Sequence, residues 1–91
     1  MEAQRIQEIL YTSHFKRAIK TLSKTHLQTI TEREVIFRAN CFDQRLKTHK
    51  LQGKLKDCWS FSITYSHRIM FKFLKKDCVV FIDIGDHSIY L

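Results

Sequence analysis

From Trp59 the chain alternates with a period of two: Trp59, Phe61, Ile63 and Tyr65 are apolar, and Ser60, Ser62 and Thr64 lie between them. This is the pattern of a strand with one buried face. Tyr65-Ser66-His67 forms a turn, and Ile69, Phe71 and Phe73 then alternate with Arg68, Met70 and Lys72 in a second strand. Lys75-Lys76-Asp77 reads as a polar hairpin turn. The nearly continuous apolar run over 78–84, CVVFIDI, predicts a central strand buried on both faces. Gly85-Asp86-His87-Ser88 bends the chain, and Ile89-Tyr90-Leu91 is expected as a last short strand.

The first half has a different rhythm. Ile6, Ile9, Leu10 and Tyr11 predict a first or edge strand over 5–12, with a helical turn as the alternative. Thr12 and Ser13 offer a helix N-cap. Phe15, Ile19 and Leu22 follow at i, i+4 and i+7, one stripe of a helix over 13–24. Its other face carries Lys16, Arg17, Lys20 and Lys24, either a solvated surface or a contact surface. Thr25 and His26 interrupt the pattern. A second helix is expected over 27–41, with Leu27, Ile30, Glu34 and Phe37 on one stripe and Val35 and Ile36 widening it. The Thr31…Glu34 spacing matches a capping box and would start that helix later. Residues 42–57 are polar and cation-rich: an irregular loop, with a short strand near Leu46–Leu51 and Gly53 permitting a positive-φ turn. The fold class is therefore α+β. An N-terminal strand and a two-helix hairpin pack on a C-terminal antiparallel β-meander in one domain over 1–91, leaving a basic, polar sheet face opposite the helices.

Composition narrows the class of partner. Ninety-one residues leave no room for a second core. No apolar run approaches the ~20 residues that cross a bilayer. The charged opening MEAQRIQEIL lacks the apolar centre of a secretory signal, so a cytoplasmic location is expected. Cys41, Cys58 and Cys78 contain no C-x-x-C pair, which argues against a zinc site and for reduced, mostly buried thiols. Sixteen Lys and Arg against nine Asp and Glu give a net charge of +7. That excess implies an anionic partner, whether RNA, DNA or an acidic protein, and does not choose among them.

The residue types suggest a reaction. RNA is cut when its 2′-hydroxyl attacks the adjacent phosphate. The barrier falls if a base takes the hydroxyl proton, an acid protonates the 5′-oxygen, and a cation stabilises the phosphate charge. Histidine serves the first two roles and arginine the third, with no metal or cofactor required. His49, Arg68 and His87 would supply that set. Arg68 opens the second strand and His87 follows the third, and in an antiparallel meander these two points lie at one edge. Lys50, Lys54 and Lys56 are candidates for flanking phosphates, and Tyr90 for stacking on a base. Each has a plainer reading: Arg68 in an ion pair with Asp83 or Asp86, Tyr90 as a lid on the core. His14, His26 and His67 read as surface or packing residues.

From residue 49 onward, several segments in order carry a resemblance. They are His49-Lys50-Leu51…Gly53, Trp59-Ser60…Ile63-Thr64…His67-Arg68-Ile69-Met70-Phe71-Lys72, and Ile84-Gly85-Asp86-His87-Ser88. Together they resemble the RelE/ParE superfamily of bacterial toxins, most closely its YoeB and YafQ branches. The resemblance implies a RelE-like fold and the toxin of a type II toxin–antitoxin system. It further implies a ribosome-dependent messenger RNA endonuclease silenced by a protein antitoxin, as a homodimer or a toxin–antitoxin hetero-oligomer. Carried over by position, Arg68 matches the family's transition-state arginine and His87 its C-terminal general acid. His49 falls where YoeB has a glutamate base and close to where YafQ has a histidine. Ser62 and Ser66 stand where relatives often carry charged or histidine residues, and Ser88 stands where YoeB has a tyrosine. Two alternatives follow: a ParE-like, non-enzymatic toxin acting on DNA gyrase, or a catalytically weakened homologue that binds RNA or antitoxin.

Overall fold

The structure is a computed structural model and describes residues 3–90. Strand β1 (Glu8–Tyr11) leads into helices α1 (Ser13–Ile19) and α2 (Lys24–Ala39). A two-residue strand β2 (His49–Lys50) precedes β3 (Trp59–Ser62), β4 (Arg68–Lys75) and β5 (Cys78–Gly85). Single 3-10 turns occupy Gln44–Leu46, Gly53–Leu55 and His87–Tyr90. The five strands form one sheet in the order β1-β5-β4-β3-β2, with β1 parallel to β5 and every other pair antiparallel.

The helices divide where hydroxyls cap them. The Thr12 hydroxyl accepts the Phe15 N–H at 3.0 Å and donates to the Ile82 carbonyl at 3.0 Å, so one side chain starts α1 and ties it to β5. α1 ends at Ile19, short of the expected 24, because the backbone tightens into i→i−3 bonds over Lys20, Thr21 and Leu22. Ser23 then caps α2, its Oγ accepting the His26 N–H at 3.2 Å. The second helix thus begins before the expected residue 27, and Thr25 and His26 lie in its first turn rather than interrupting it. Thr31 sits mid-helix, its hydroxyl donating to the Leu27 carbonyl, so the Thr31…Glu34 spacing is not a capping box.

Five phenylalanines weld the helices to the sheet. Phe37 of α2 is fully buried and stacks on Phe61 at 4.7 Å, with edge contacts to Phe71 at 5.0 Å and Phe81 at 5.4 Å. Phe15 of α1 meets Phe81 at 5.5 Å. The Tyr11 hydroxyl donates to the Glu34 carboxylate, and burial together with that charge pushes the phenol up to about 12.

Three expectations are corrected. β5 is not buried on both faces, and β4 is the middle strand. Met70 pairs with Asp83 and Phe71 with Phe81, so Ile82 is an extra residue in a bulge. The bulge resets the alternation: Val79, Phe81 and Ile84 face the helices, and the sequence there reads as a continuous apolar run. Next, β3 stops at Ser62, so Ile63 lies beyond it, and Tyr65, in the turn as expected, is fully exposed and no part of an apolar strand face. Finally, Ile89 and Tyr90 belong to a 3-10 turn rather than a strand, and Leu91 lies outside the described residues.

Candidate functional site

Strand register composes the face turned away from the helices. Ser62 pairs with Arg68 and Arg68 with Gly85, while His49 pairs with Ser60 and Ser60 with Met70. Side chains on one face recur every second residue, so these two rows lie side by side. The row carrying Arg68 ends two residues before His87, which opens the last 3-10 turn. That turn folds back over the sheet. The Tyr90 hydroxyl bonds Ser60 Oγ, and the Tyr90 ring meets His87 edge-on at 5.1 Å and 82°. An added Cβ on Gly85 would lie 2.7 Å from Ile89 Cγ2, so any other residue there would push the Ile89 side chain or the turn aside.

Two adjoining concavities open on this surface. The larger, about 650 Å³, is lined by Arg33, Arg45, Lys47, His49 and Arg68 together with residues 62–65. The smaller, about 520 Å³, is lined by Tyr65, Ser66, Arg68, Asp86, His87 and Ser88. Arg68 and Tyr65 line both. His49 and His87 therefore lie in neighbouring hollows with one guanidinium common to them.

The charges are unevenly committed. Arg45 holds Asp43 in a two-point pair at 2.9 and 3.0 Å, and those bonds keep the half-buried Asp43 carboxyl down at about 2. The Arg33 guanidinium donates to the Arg45 carbonyl at 2.9 Å. Asp83 accepts from His14 Nε2 at 3.0 Å, and Asp86 accepts the Ser88 N–H at 2.9 Å. The Ser88 bonds come first in lowering the Asp86 pKa, followed by the nearby His67 and His87. Neither carboxylate reaches Arg68, which is half-buried and has no ion pair among the described residues.

His49 is oriented by its own loop. Its Nδ1 lies 3.0 Å from the Lys47 carbonyl oxygen. A carbonyl only accepts, so Nδ1 carries the proton and, in the neutral ring, Nε2 holds the lone pair. The carbonyl is aimed by Lys47 itself, which adopts the left-handed conformation at φ 53 as it caps the Gln44–Leu46 turn. This arrangement leaves Nε2 as the proton acceptor, the nitrogen a general base uses.

The remaining sequence candidates lie elsewhere. Lys50 pairs with Trp59, on the opposite sheet face from His49. Lys54 and Lys56 are exposed on the Gly53–Leu55 turn, outside both concavities. Tyr90 is half-buried with its hydroxyl engaged by Ser60. Sequence reasoning passed over Arg33, Arg45 and Lys47, whose approach to Arg68 depends on how α2 packs on the sheet. It also placed Tyr65 on the core side of a strand. The three cysteines are free; Cys41 and Cys78 are buried and Cys58 half-buried, and burial pushes the Cys41 thiol up to about 11. Among the described residues, no helix is long and apolar enough to cross a membrane.

No family model and no curated protein matches this chain. Solved structures do match along nearly its whole length. YafQ from E. coli strain BL21(DE3) is similar at 20% identity, with 97% of this chain and 99% of that chain covered and a TM-score of 0.74. The RelBE2 toxin–antitoxin complex from Mycobacterium tuberculosis superposes with a TM-score of 0.78 at 13% identity, over 97% and 99% of the two chains. The E. coli DinJ–YafQ toxin–antitoxin complex matches at 21% identity and a TM-score of 0.72, over 94% and 96%. With a five-stranded mixed sheet and two helices matched throughout, the chain has the RelE/ParE-like toxin fold.

Proposed function

We propose that this protein is the toxin of a type II toxin–antitoxin system, a ribosome-dependent endonuclease that cuts messenger RNA by acid–base catalysis without a metal. The observation that carries the reading is Arg68, a half-buried guanidinium with no carboxylate partner among the described residues, common to the hollow that holds His49 and the hollow that holds His87. A scissile phosphate at Arg68 would find a proton acceptor on one side and a proton donor on the other.

In this mechanism His49 Nε2 takes the 2′-hydroxyl proton as that oxygen bonds to phosphorus. Arg68 holds two non-bridging oxygens through its planar fork, where charge builds in the transition state. The P–O5′ bond breaks, and the departing oxygen takes its proton from protonated His87. The products are a 2′,3′-cyclic phosphate and a 5′-hydroxyl. Arg33 and Lys47 add positive charge for flanking phosphates, in place of Lys54 and Lys56. A protein antitoxin is the expected partner. The net charge of +7 favours an acidic one, and a hollow of about 220 Å³ lined by Tyr11, Ile19, Leu27 and Ile30 offers it an apolar foothold.

Primer extension on transcripts after induction tests the reading. Discrete new 5′ ends within translated messages, absent with Arg68→Ala, are expected. A supercoiling defect with intact transcripts would overturn the proposal in favour of gyrase inhibition.

A further inference from the structure

We infer that Tyr65 is the platform on which a nucleobase stacks, and that the site takes single-stranded RNA. The inference rests on the nuclease reading and adds a residue that selects the form of the substrate.

The three tyrosines are in different situations. Tyr11 bonds Glu34 and packs on Phe15 at 5.6 Å, and Tyr90 bonds Ser60 and meets His87. Tyr65 is 100% exposed, and among the described residues it has no ring neighbour and no side-chain hydrogen bond. The loop beneath it is fixed. The Ile63 and Thr64 N–H groups both donate to the His67 carbonyl, at 2.9 and 3.3 Å, and the His67 N–H donates to the Thr64 hydroxyl at 3.1 Å. An anchored tip thus holds out a bare aromatic ring.

That ring borders both hollows beside Arg68. A nucleotide couples an anion to a flat aromatic base, and here, among the described residues, a guanidinium without a carboxylate lies next to an aromatic face without a cover. Bases stack on such rings with little regard to sequence, but only when they are unpaired. A base held inside a duplex would keep its faces for its neighbours. The exposed Phe42 does not compete for this role, since it packs against Trp59 at 5.4 Å and lines neither hollow.

The test is an RNA-binding titration in a His87→Gln background, which prevents cutting, with an oligonucleotide carrying 2-aminopurine as the probe. Tyr65→Ala is expected to weaken single-strand binding about tenfold and to abolish quenching of the probe. It leaves the salt dependence unchanged, because no phosphate contact is lost. Tyr65→Phe retains both binding and quenching, and the same sequence as a duplex binds more weakly and ignores Tyr65→Ala. If Tyr65→Ala binds and quenches like its parent while Arg68→Ala loses binding, the stacking role is overturned and the nuclease reading stands. If the parent binds no RNA at low salt, the stacking role is overturned, and the nuclease reading, which places the RNA on the ribosome, is decided separately by primer extension.

Discussion

The Arg68 guanidinium, held half-buried beside two hollows with no carboxylate among the described residues to neutralise it, keeps its charge for whatever anion enters. Arg68→Ala should cut the cleavage rate by ~10²–10³, the usual effect of losing a transition-state charge partner. Arg68→Lys should rescue it poorly, since a point charge lacks the planar fork. His49→Ala and His87→Ala should each lose ~10²–10⁴ in single-turnover rate, and the wild-type rate should fall at both low and high pH because one ring must be neutral while the other is charged. Asp43 gives a prediction of a different kind. Its carboxyl, held at about 2 by Arg45, is depressed below the ordinary range, so its contribution to stability is present above that range and fades only as pH falls towards 2. A carbon-13 titration of the Asp43 carboxyl should have its midpoint near 2, moving up towards the ordinary range in Arg45→Ala, which keeps the backbone bond from residue 45. At this scale the sequence disclosed residue types with catalytic capacity, and His49, Arg68 and His87 were picked on that basis. The lining by Arg33, Arg45 and Lys47 was hidden, because those residues lie on α2 and a 3-10 turn whose approach to β4 is decided by packing.

Elements here begin and end through short side chains. Ser23→Ala should cost about 1 kcal/mol, as loss of an N-cap does, and denaturant unfolding would measure it. Thr12→Ala should cost more, since it also breaks the bond to Ile82 that ties α1 to β5. The last 3-10 turn carries His87 and Tyr90, and its Ile89 side chain packs where a Gly85 side chain would be. Gly85→Ala would set a methyl carbon 2.7 Å from Ile89 Cγ2, so the Ile89 side chain or the turn that carries it must shift. The expected result is a melting temperature near wild type with a large loss of cleavage. A loss of fold instead would show that the turn is part of the core. Period-two alternation made β4 legible, and the same rule misled in two places. In β5 a bulge at Ile82 resets the alternation, so a strand with one polar-facing side looks wholly apolar. In β3 the alternation runs on past Ser62 into the hairpin, so an exposed Tyr65 looked like a core residue.

Over the whole molecule, one face of the sheet holds the protein together and the other is free for chemistry. Phe37 lies at the centre of the first, touching Phe61, Phe71 and Phe81. Phe37→Ala should cost ~3–5 kcal/mol, a large part of the ~5–15 kcal/mol that holds a domain folded, and broaden or abolish the cooperative melt. The α+β architecture was legible because helical and strand periodicities occupy separate halves of the chain. The pairing of β1 with β5 was not, since a parallel partner across about 70 residues leaves no local mark.

The most direct test is single-turnover cleavage of ribosome-bound messenger RNA by purified protein stripped of metal beforehand. The account predicts a cut leaving a 2′,3′-cyclic phosphate and a 5′-hydroxyl, slowed at least a hundredfold by Arg68→Ala and likewise by His87→Ala. Cleavage that survives both substitutions, or that leaves a 3′-hydroxyl and a 5′-phosphate, would contradict it.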